Sequence, residues 1–556
     1  MAAIYQRLWL KRKNTLIYWV LLAIAALLCY YPTRDAGFYA DFLGWKNRFD
    51  AGSWADVWHS FGYEGHHQLF HAFFYGIYQL AGLNGTIWYI WFVLLHATNA
   101  YLVATVWAQL WRLFTAQTAP RWLTAVVALA FLLNPYQTEA VVWKACMHYL
   151  LTTCLLLLSL RALLVFAERQ HMRWLLLSHL LFAASLFTLE LSLSFPLIAL
   201  IFSSGLALAK KWPWKQWLIL VSGVHLLIVA SWLWLNRLTL GQWVGHYGAD
   251  VHLRTDWTLI FGNLFRYLGK YLAYSRHWQW HYKEVFWQLW HQGEWLWPAT
   301  AIGLAILIYF LWRFRKWHPI WQLSGLTLWA FFAALAPVAN LYHAWMLQVE
   351  NDRYGYFASA FFVMALFSAM AWLGHRFAQI SSSLYLLLSL WLLAPTIRHW
   401  QEAQAVYASL IADFRWHQSP HVFVLACPDN YNGIFVFKDY SKKSIMVRAA
   451  VEALGSKKVS GQIHQVAMFN MNHPDEGVTV RAQADTLTVT LNQWGNWWWH
   501  NGIGAANYEN EWYRFRKKGR SYQLEWKKKP LQAVWIYSDG PKWRIFDWPD
   551  DIRSHE

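Results

Sequence analysis

Four loops of an otherwise strongly apolar chain of 556 residues carry acids, an arginine and histidines at their tips. These residue types suit chemistry on a charged group at a membrane surface. The loop from Tyr31 to about Asn84 opens with Arg34-Asp35-Ala36-Gly37-Phe38-Tyr39-Ala40-Asp41, which sets the carboxylates Asp35 and Asp41 close behind an apolar run. A carboxylate at a lipid–water boundary has its pKa raised by partial desolvation and can take the proton from a weak nucleophile such as a sugar hydroxyl. Asp41 is therefore a candidate general base. The competing reading is a solvated acid or a cap for the helix DFLGWKNRF. His66 and His67 in the same loop are candidate acceptor contacts, or interfacial histidines beside aromatic residues.

Asn134-Pro135-Tyr136-Gln137-Thr138-Glu139 joins two apolar runs, and Thr188-Leu189-Glu190 is tighter still. A lone carboxylate at such a tip marks either a site or a pairing partner, because an unpaired charge below the head groups is costly. Glu350-Asn351-Asp352-Arg353-Tyr354-Gly355-Tyr356 supplies an arginine whose planar fork suits a phosphate. An ion pair with Asp352 or Glu350 is the alternative. None of these groups has metal-ligand spacing, so no metal or other cofactor is expected.

The elements that must carry these loops are transmembrane helices. Hydrophobic residues make up 57% of the chain and charged residues only 14%, more apolar surface than a soluble protein of this length can bury. Runs near the roughly 17–20 residues needed to cross a bilayer recur. We read about eleven, at 15–31, 86–111, 121–136, 146–167, 173–189, 191–209, 217–238, 297–312, 320–341, 357–374 and 381–398. The basic clusters Lys11-Arg12-Lys13, Arg112 to Arg121, Arg169 to Arg173, Lys210-Lys211 with Lys215, Arg313-Arg315-Lys316 and His375-Arg376 then share one side. By the positive-inside rule that side is cytoplasmic, so the amino terminus is inside and the acidic loops and carboxyl terminus are outside. This parity leaves 258–275, with Arg266, Lys270 and nearby Arg276, as an amphipathic helix at the interface, the alternative being a twelfth span.

The net charge of +17 is explained by topology and anionic head groups rather than by a nucleic-acid partner. Many of the 43 tryptophans suit aromatic belts. Cys29, Cys146, Cys154 and Cys427 form no paired framework, and residues 15–31 read as a retained helix, since no small-residue cleavage site follows. A second domain is expected from about Gln401. VFVLACPDNYNGIFVFK reads as strand, Pro-Asp-Asn turn and strand, MVRAAVEALG as a helix ending at Gly455, and VTVRAQADTLTVTL as a half-buried strand pair. Residues 401–556 are thus an α+β domain. Trp494 and Trp497-Trp498-Trp499 are glycan-stacking or membrane-docking candidates, and Lys527-Lys528-Lys529 with Arg514 to Arg520 suit lipid phosphates.

Several short segments, in order, resemble the GT-C superfamily of membrane glycosyltransferases that use polyprenyl-phosphate sugars, and most closely its protein O-mannosyltransferase branch with tetratricopeptide tails. Phe38 to Asp41 is similar to the family's aromatic-plus-acid motif. Leu69 to Gly82, with His96 and Asn99, resembles its next helix and span, NPYQTEAVVW its Pro-x-x-Thr-Glu-Ala-Val-x-Trp pattern, LFTLELSLSFP its Ser-Lys-Glu…Pro pattern and NDRYGY its Glu-Arg-Tyr-x-Tyr. The chain departs from the family at Ala40, where a second acid is common. It departs again at Met147 and Tyr149, where Arg and Asp are often found, at Leu189 in place of Lys, and in the absence of tetratricopeptide repeats.

The resemblance implies a GT-C-like domain over residues 1–400, while the near absence of disulfide potential and the lack of a eukaryotic-style tail favour a bacterial inner membrane, with the tail domain periplasmic. The resemblance further implies transfer of a sugar from a polyprenyl-phosphate donor to a protein, lipid or glycan acceptor. Asp41, with distant Asp35, would act on the acceptor proton. Arg353 and Tyr354 would meet the donor, while Glu139 and Glu190 would hold sugar hydroxyls or Arg353. Some relatives use a divalent metal. Two other classes compete: a flippase or transporter of polyprenyl-linked glycans, and an inactive envelope scaffold. Acids at loop tips, rather than at the bilayer midplane on broken helices, disfavour transport.

Overall fold

The computed structural model describes residues 2–62, 65–210, 218–244, 257–279, 282, 296–313, 316–340, 351–412, 418–437, 445–455, 457–471, 477–492, 497–498, 507–528, 530, 532–540 and 542–547, with side chains from Thr15 onward except at scattered positions. Trp494, Trp499, Glu350 and Lys529 lie outside the described residues.

All eleven expected apolar runs are helical, but they are not equal. Eight helices are long and apolar enough to cross a membrane: Thr15–Thr33, Gly85–Thr115, Lys144–Arg169, Glu190–Ala209, Ile219–Leu240, Pro319–Val338, Asp352–Trp372 and His375–Ala412. A ninth is gained if Arg121–Leu132 and Pro135–Val142, bent by 50° at their junction, count as one span. Met172–Leu186 is shorter. Trp257–Ala273, expected at the interface, is a helix outside the spanning set.

The bend has a local cause. Pro135 has no N–H and disfavours helical backbone at Asn134, which turns to φ −63°, ψ 122° and caps the next turn by accepting from the Tyr136 N–H at 2.9 Å. The carbonyl of Leu132 is taken up by His96 Nε2 at 3.1 Å. With Nε2 donating there, Nδ1 accepts from the Tyr356 hydroxyl at 2.7 Å, and Asn99 Nδ2 also donates to that hydroxyl. A polar break in the bundle is thereby satisfied from two neighbouring helices, as apolar surroundings require. His96 and Asn99 hold helices together.

The acidic loops gather at one end of the bundle, joined by Arg353–Glu139, His67–Glu190 and His66–Thr239 contacts. At the other end Arg112 pairs with Glu168 at 2.6 Å and Trp122 packs on His375.

The helix that begins at His375 runs unbroken through Gln401 to Ala412, so the sheet domain starts at His421 rather than at the composition change. Its central strand, His421–Tyr431, pairs in parallel with Ala533–Asp539 on one side and with Gln462–Gln465 and then Met468–Met471 on the other. The strand continues through Pro428-Asp429-Asn430 with an irregularity, correcting the expected turn there. The reversal comes at Asn432-Gly433, where φ is 48° and 82°, before Ile434–Phe435 pairs back. An antiparallel sheet packs on this one. It contains the expected hairpin of Val478–Gln483 and Thr486–Leu491, followed in order by Ser521–Trp526, Tyr513–Lys518 and Tyr508–Glu509. The helix Ile445–Gly455 ends where the sequence placed it.

Two contacts lock this domain to the loop end. Tyr39 is sandwiched between Trp400 and Tyr407, at centroid distances of 6.0 and 5.2 Å, and Tyr407 stacks on Phe437 at 4.4 Å. Below them, Asp352 is fully buried between Lys270 Nζ, at 2.5 Å, and Arg276, whose Nη2 reaches the carbonyl of Asn432 at 3.2 Å. The helix Trp257–Ala273 is therefore pinned to the rest of the protein by Lys270. Removing one charge from a buried ionic cluster costs about 3–5 kcal/mol. Asp352→Asn is accordingly expected to lower the melting temperature and open the Ala412–His421 region to limited proteolysis; an unchanged digestion pattern would show that the cluster does not hold the domain.

Candidate functional site

The site is built on a single buried pair. The Arg353 backbone N–H donates to Glu139 Oε2 at 2.9 Å, and its Nη1 binds Oε1 of the same carboxylate. Glu139 thus caps the short helical turn Asp352–Gly355 and neutralises its arginine. Nη2 donates to the Tyr354 hydroxyl at 3.2 Å. Three ring faces enclose the guanidinium: Tyr354 at 4.6 Å, Trp143 at 5.2 Å and Phe435 from the tail domain at 5.5 Å. The arginine's own loop had offered Asp352 or Glu350 as its partner, and the resemblance Glu139 or Glu190. The structure gives Asp352 to Lys270 and Arg276 instead, and Glu139 to Arg353.

The first loop is laid against this pair. Trp143 Nε1 donates to the carbonyl of Tyr39 at 3.0 Å, and the Lys144 N–H to that of Gly37 at 3.1 Å. The approach needs a glycine: φ at residue 37 is 93°, and a Cβ there would lie 2.0 Å from the Val142 carbonyl oxygen. Burial pushes the Tyr39 hydroxyl well above its ordinary pKa, with Tyr407 and Glu139 adding repulsion. The loop therefore lies within electrostatic reach of the buried carboxylate.

Asp41 is half-buried as the first residue of the helix Asp41–Ala51. Ala40 before it has φ 53° and ψ −125°, a backbone that residues with a Cβ adopt only when their surroundings impose it. The imposing contact comes from the long helix His375–Ala412, braced by the tail: the Ala40 N–H donates to the Tyr407 hydroxyl at 3.3 Å, and that hydroxyl donates to the Val436 carbonyl at 2.7 Å. Asp35 is placed differently. Its side chain is 70% exposed and clasped by Arg34 at 2.9 Å, so it does not join Asp41.

Glu190 and the histidines form a separate cluster. His67 is buried, with Nε2 3.2 Å from Glu190 Oε1 and Nδ1 3.3 Å from the Thr188 carbonyl. Burial opposes the charged imidazole, but the Glu190 carboxylate and the Thr188 carbonyl outweigh it and raise the His67 pKa. His71, one turn on, is pushed down to about 2 by burial, with His67, His148 and Arg48 adding repulsion. His66 bonds to Thr239 at 2.7 Å and to Gln68 at 3.1 Å. The structure thus unites Arg353, Glu139, Tyr354 and the Tyr39–Asp41 turn, and it joins Glu190 to His67 apart from them. No group of three or more His, Cys, Asp or Glu side chains able to hold a metal occurs among the described residues.

Sequence reasoning missed Lys144, Lys270, Arg276, Phe435 of the tail domain and Tyr407 of the helix that leads into it. Lys144 carried a signal, being a charge that directly follows NPYQTEAVVW. Phe435 and Tyr407 carried none, because nothing local marks an aromatic that will meet a loop some 370 positions away. No family model, curated protein or solved structure matches the chain.

Two outcomes follow from these contacts. Glu139→Gln leaves a guanidinium buried without its counter-charge and is expected to cost about 3–5 kcal/mol, whereas Glu139→Leu with Arg353→Met removes both charges and recovers most of it. Thermal unfolding in detergent measures this, and a double variant as unstable as the single one would reject the pair as the organising contact. For His67, a raised folded pKa means that its stabilisation is complete below the unfolded value of about 6.5 and fades as the pH rises through the folded value. As the pH rises above about 6.5, wild-type protein should lose more melting temperature than His67→Gln does; equal slopes would discard the assignment.

Proposed function

We propose that the chain is an eleven-span, GT-C-type glycosyltransferase of a bacterial inner membrane. It moves a sugar from a polyprenyl-phosphate donor to a protein, lipid or glycan acceptor on the extracytoplasmic face. One observation carries this reading: Phe38 to Asp41, Pro135 to Trp143 and Arg353 to Tyr356, segments singled out by type and order, are bonded to one another at the loop end of an apolar helical bundle.

In this reading Asp41 takes the proton from the acceptor hydroxyl while its oxygen attacks the anomeric carbon. The bond from that carbon to the phosphate oxygen breaks, and the departing oxygen keeps the electron pair. Inversion at the anomeric carbon is what the resemblance implies. Phosphate is already a good leaving group, so the protein's task is orientation and charge stabilisation. Arg353 contributes by position: its fork is filled by Glu139 and Tyr354, and it holds the turn against which the acid loop rests. Glu190, tied to His67, steadies the wall of the first loop.

The scaffold reading has one observation in its favour, that both Asp35 and Arg353 are occupied by partners within the chain. A single substitution separates the two. General-base catalysis is worth roughly 10²–10⁴-fold, so Asp41→Asn should reduce sugar transfer from a labelled polyprenyl-phosphate hexose in membranes by at least about 10²-fold at unchanged expression. Full retention of the cellular phenotype in Asp41→Asn cells would favour the scaffold.

A further inference from the structure

Lys144 is only 1% exposed, yet its ammonium makes no hydrogen bond or ion pair among the described residues. The three other buried cations at this end are matched: Arg353 by Glu139, and Lys270 and Arg276 by Asp352. Lys144 has only aromatic faces, with Phe38 at 5.8 Å and Phe92 at 5.4 Å. A ring contributes about 0.5–2 kcal/mol to a cation, against a burial penalty of several kcal/mol per ion. The charge of Asp35 acts on the ammonium from farther off, but that carboxylate is exposed and already held by Arg34.

We propose that Lys144 is an anion-binding residue that receives a phosphate group at the loop end of the bundle. An ammonium is a compact charge with three donors and serves phosphate well. Arg353 is the weaker candidate, because a phosphate that drew its guanidinium away would leave Glu139 buried without its counter-charge, at about 3–5 kcal/mol. The position also suits the chemistry. The Lys144 N–H is bonded to the Gly37 carbonyl, so an anion here sits beside the turn that leads to Asp41. That the anion is the donor's phosphate rests on the transferase reading; the existence of the site does not.

The test uses the full chain in detergent, with farnesyl phosphate, inorganic phosphate and farnesol as probes, and wild type, Lys144→Met, Lys144→Arg and Asp41→Asn as proteins. Binding is read by calorimetry and by the shift in melting temperature. Loss of charged hydrogen bonds predicts farnesyl phosphate binding at least ~10-fold weaker in Lys144→Met, with Lys144→Arg within about 3-fold of wild type and farnesol unaffected by either change. Without ligand, Lys144→Met should melt no lower than wild type, since it removes an unmatched buried charge; a marked drop would show a purely structural cation and overturn the proposal. Equal binding of farnesyl phosphate by Lys144→Met and wild type would also overturn it, as would farnesol binding as tightly as its phosphate. Inorganic phosphate binding as well as farnesyl phosphate would uphold the site and assign it to the free anion. If Asp41→Asn binds normally but has lost turnover, the site and the transferase reading both stand. If binding depends on Lys144 while Asp41→Asn turnover is intact, the site stands and the general-base mechanism fails.

Discussion

A guanidinium and a carboxylate taken out of water must find each other, and here Arg353 and Glu139 do so across more than two hundred residues of sequence. Either group alone would be expelled from the apolar end of the bundle or would unfold it. Their pairing fixes the distance between the broken span at Pro135 and the turn that begins at Asp352. The neighbouring Trp143 and Tyr354 rings are then placed by chain connectivity, and the Tyr39–Asp41 turn has a surface to rest on.

The tail domain is a working part of that surface. Phe435 closes the ring cage over Arg353, and the Val436 carbonyl anchors the Tyr407 hydroxyl that holds the strained backbone at Ala40. Arg276 spans from buried Asp352 to the Asn432 carbonyl. The geometry of the acid loop is thereby shared between membrane helices and a sheet domain outside the bundle. In a membrane protein whose helices slide easily past one another in lipid, such ionic and aromatic pins supply the specificity that hydrophobic burial does not.

Charge at this end is handled in two ways. Arg353, Lys270 and Arg276 are neutralised within the chain, which makes them architectural. Lys144 makes no such pair among the described residues, and its N–H is bonded to the carbonyl of Gly37, where the approach of the chain to Val142 admits only a glycine.

Composition and periodicity by themselves determined that this chain is a bundle of apolar helices with acidic loops gathered at one end and a strand-rich tail. Apolar run length is set by the bilayer and is legible residue by residue. The break at Pro135, the helix ending at Gly455 and the hairpin around Ala484-Asp485 were legible for the same reason, since backbone chemistry acts over a few residues. Only the tertiary structure decided which charges meet. It paired Glu139 with Arg353, gave Asp352 to Lys270 and Arg276, left Asp35 in solvent with Arg34, and carried the strand through Pro428 to a turn at Asn432-Gly433. Buried electrostatics depend on partners brought together from distant segments, and nothing in a local window of sequence records those distances.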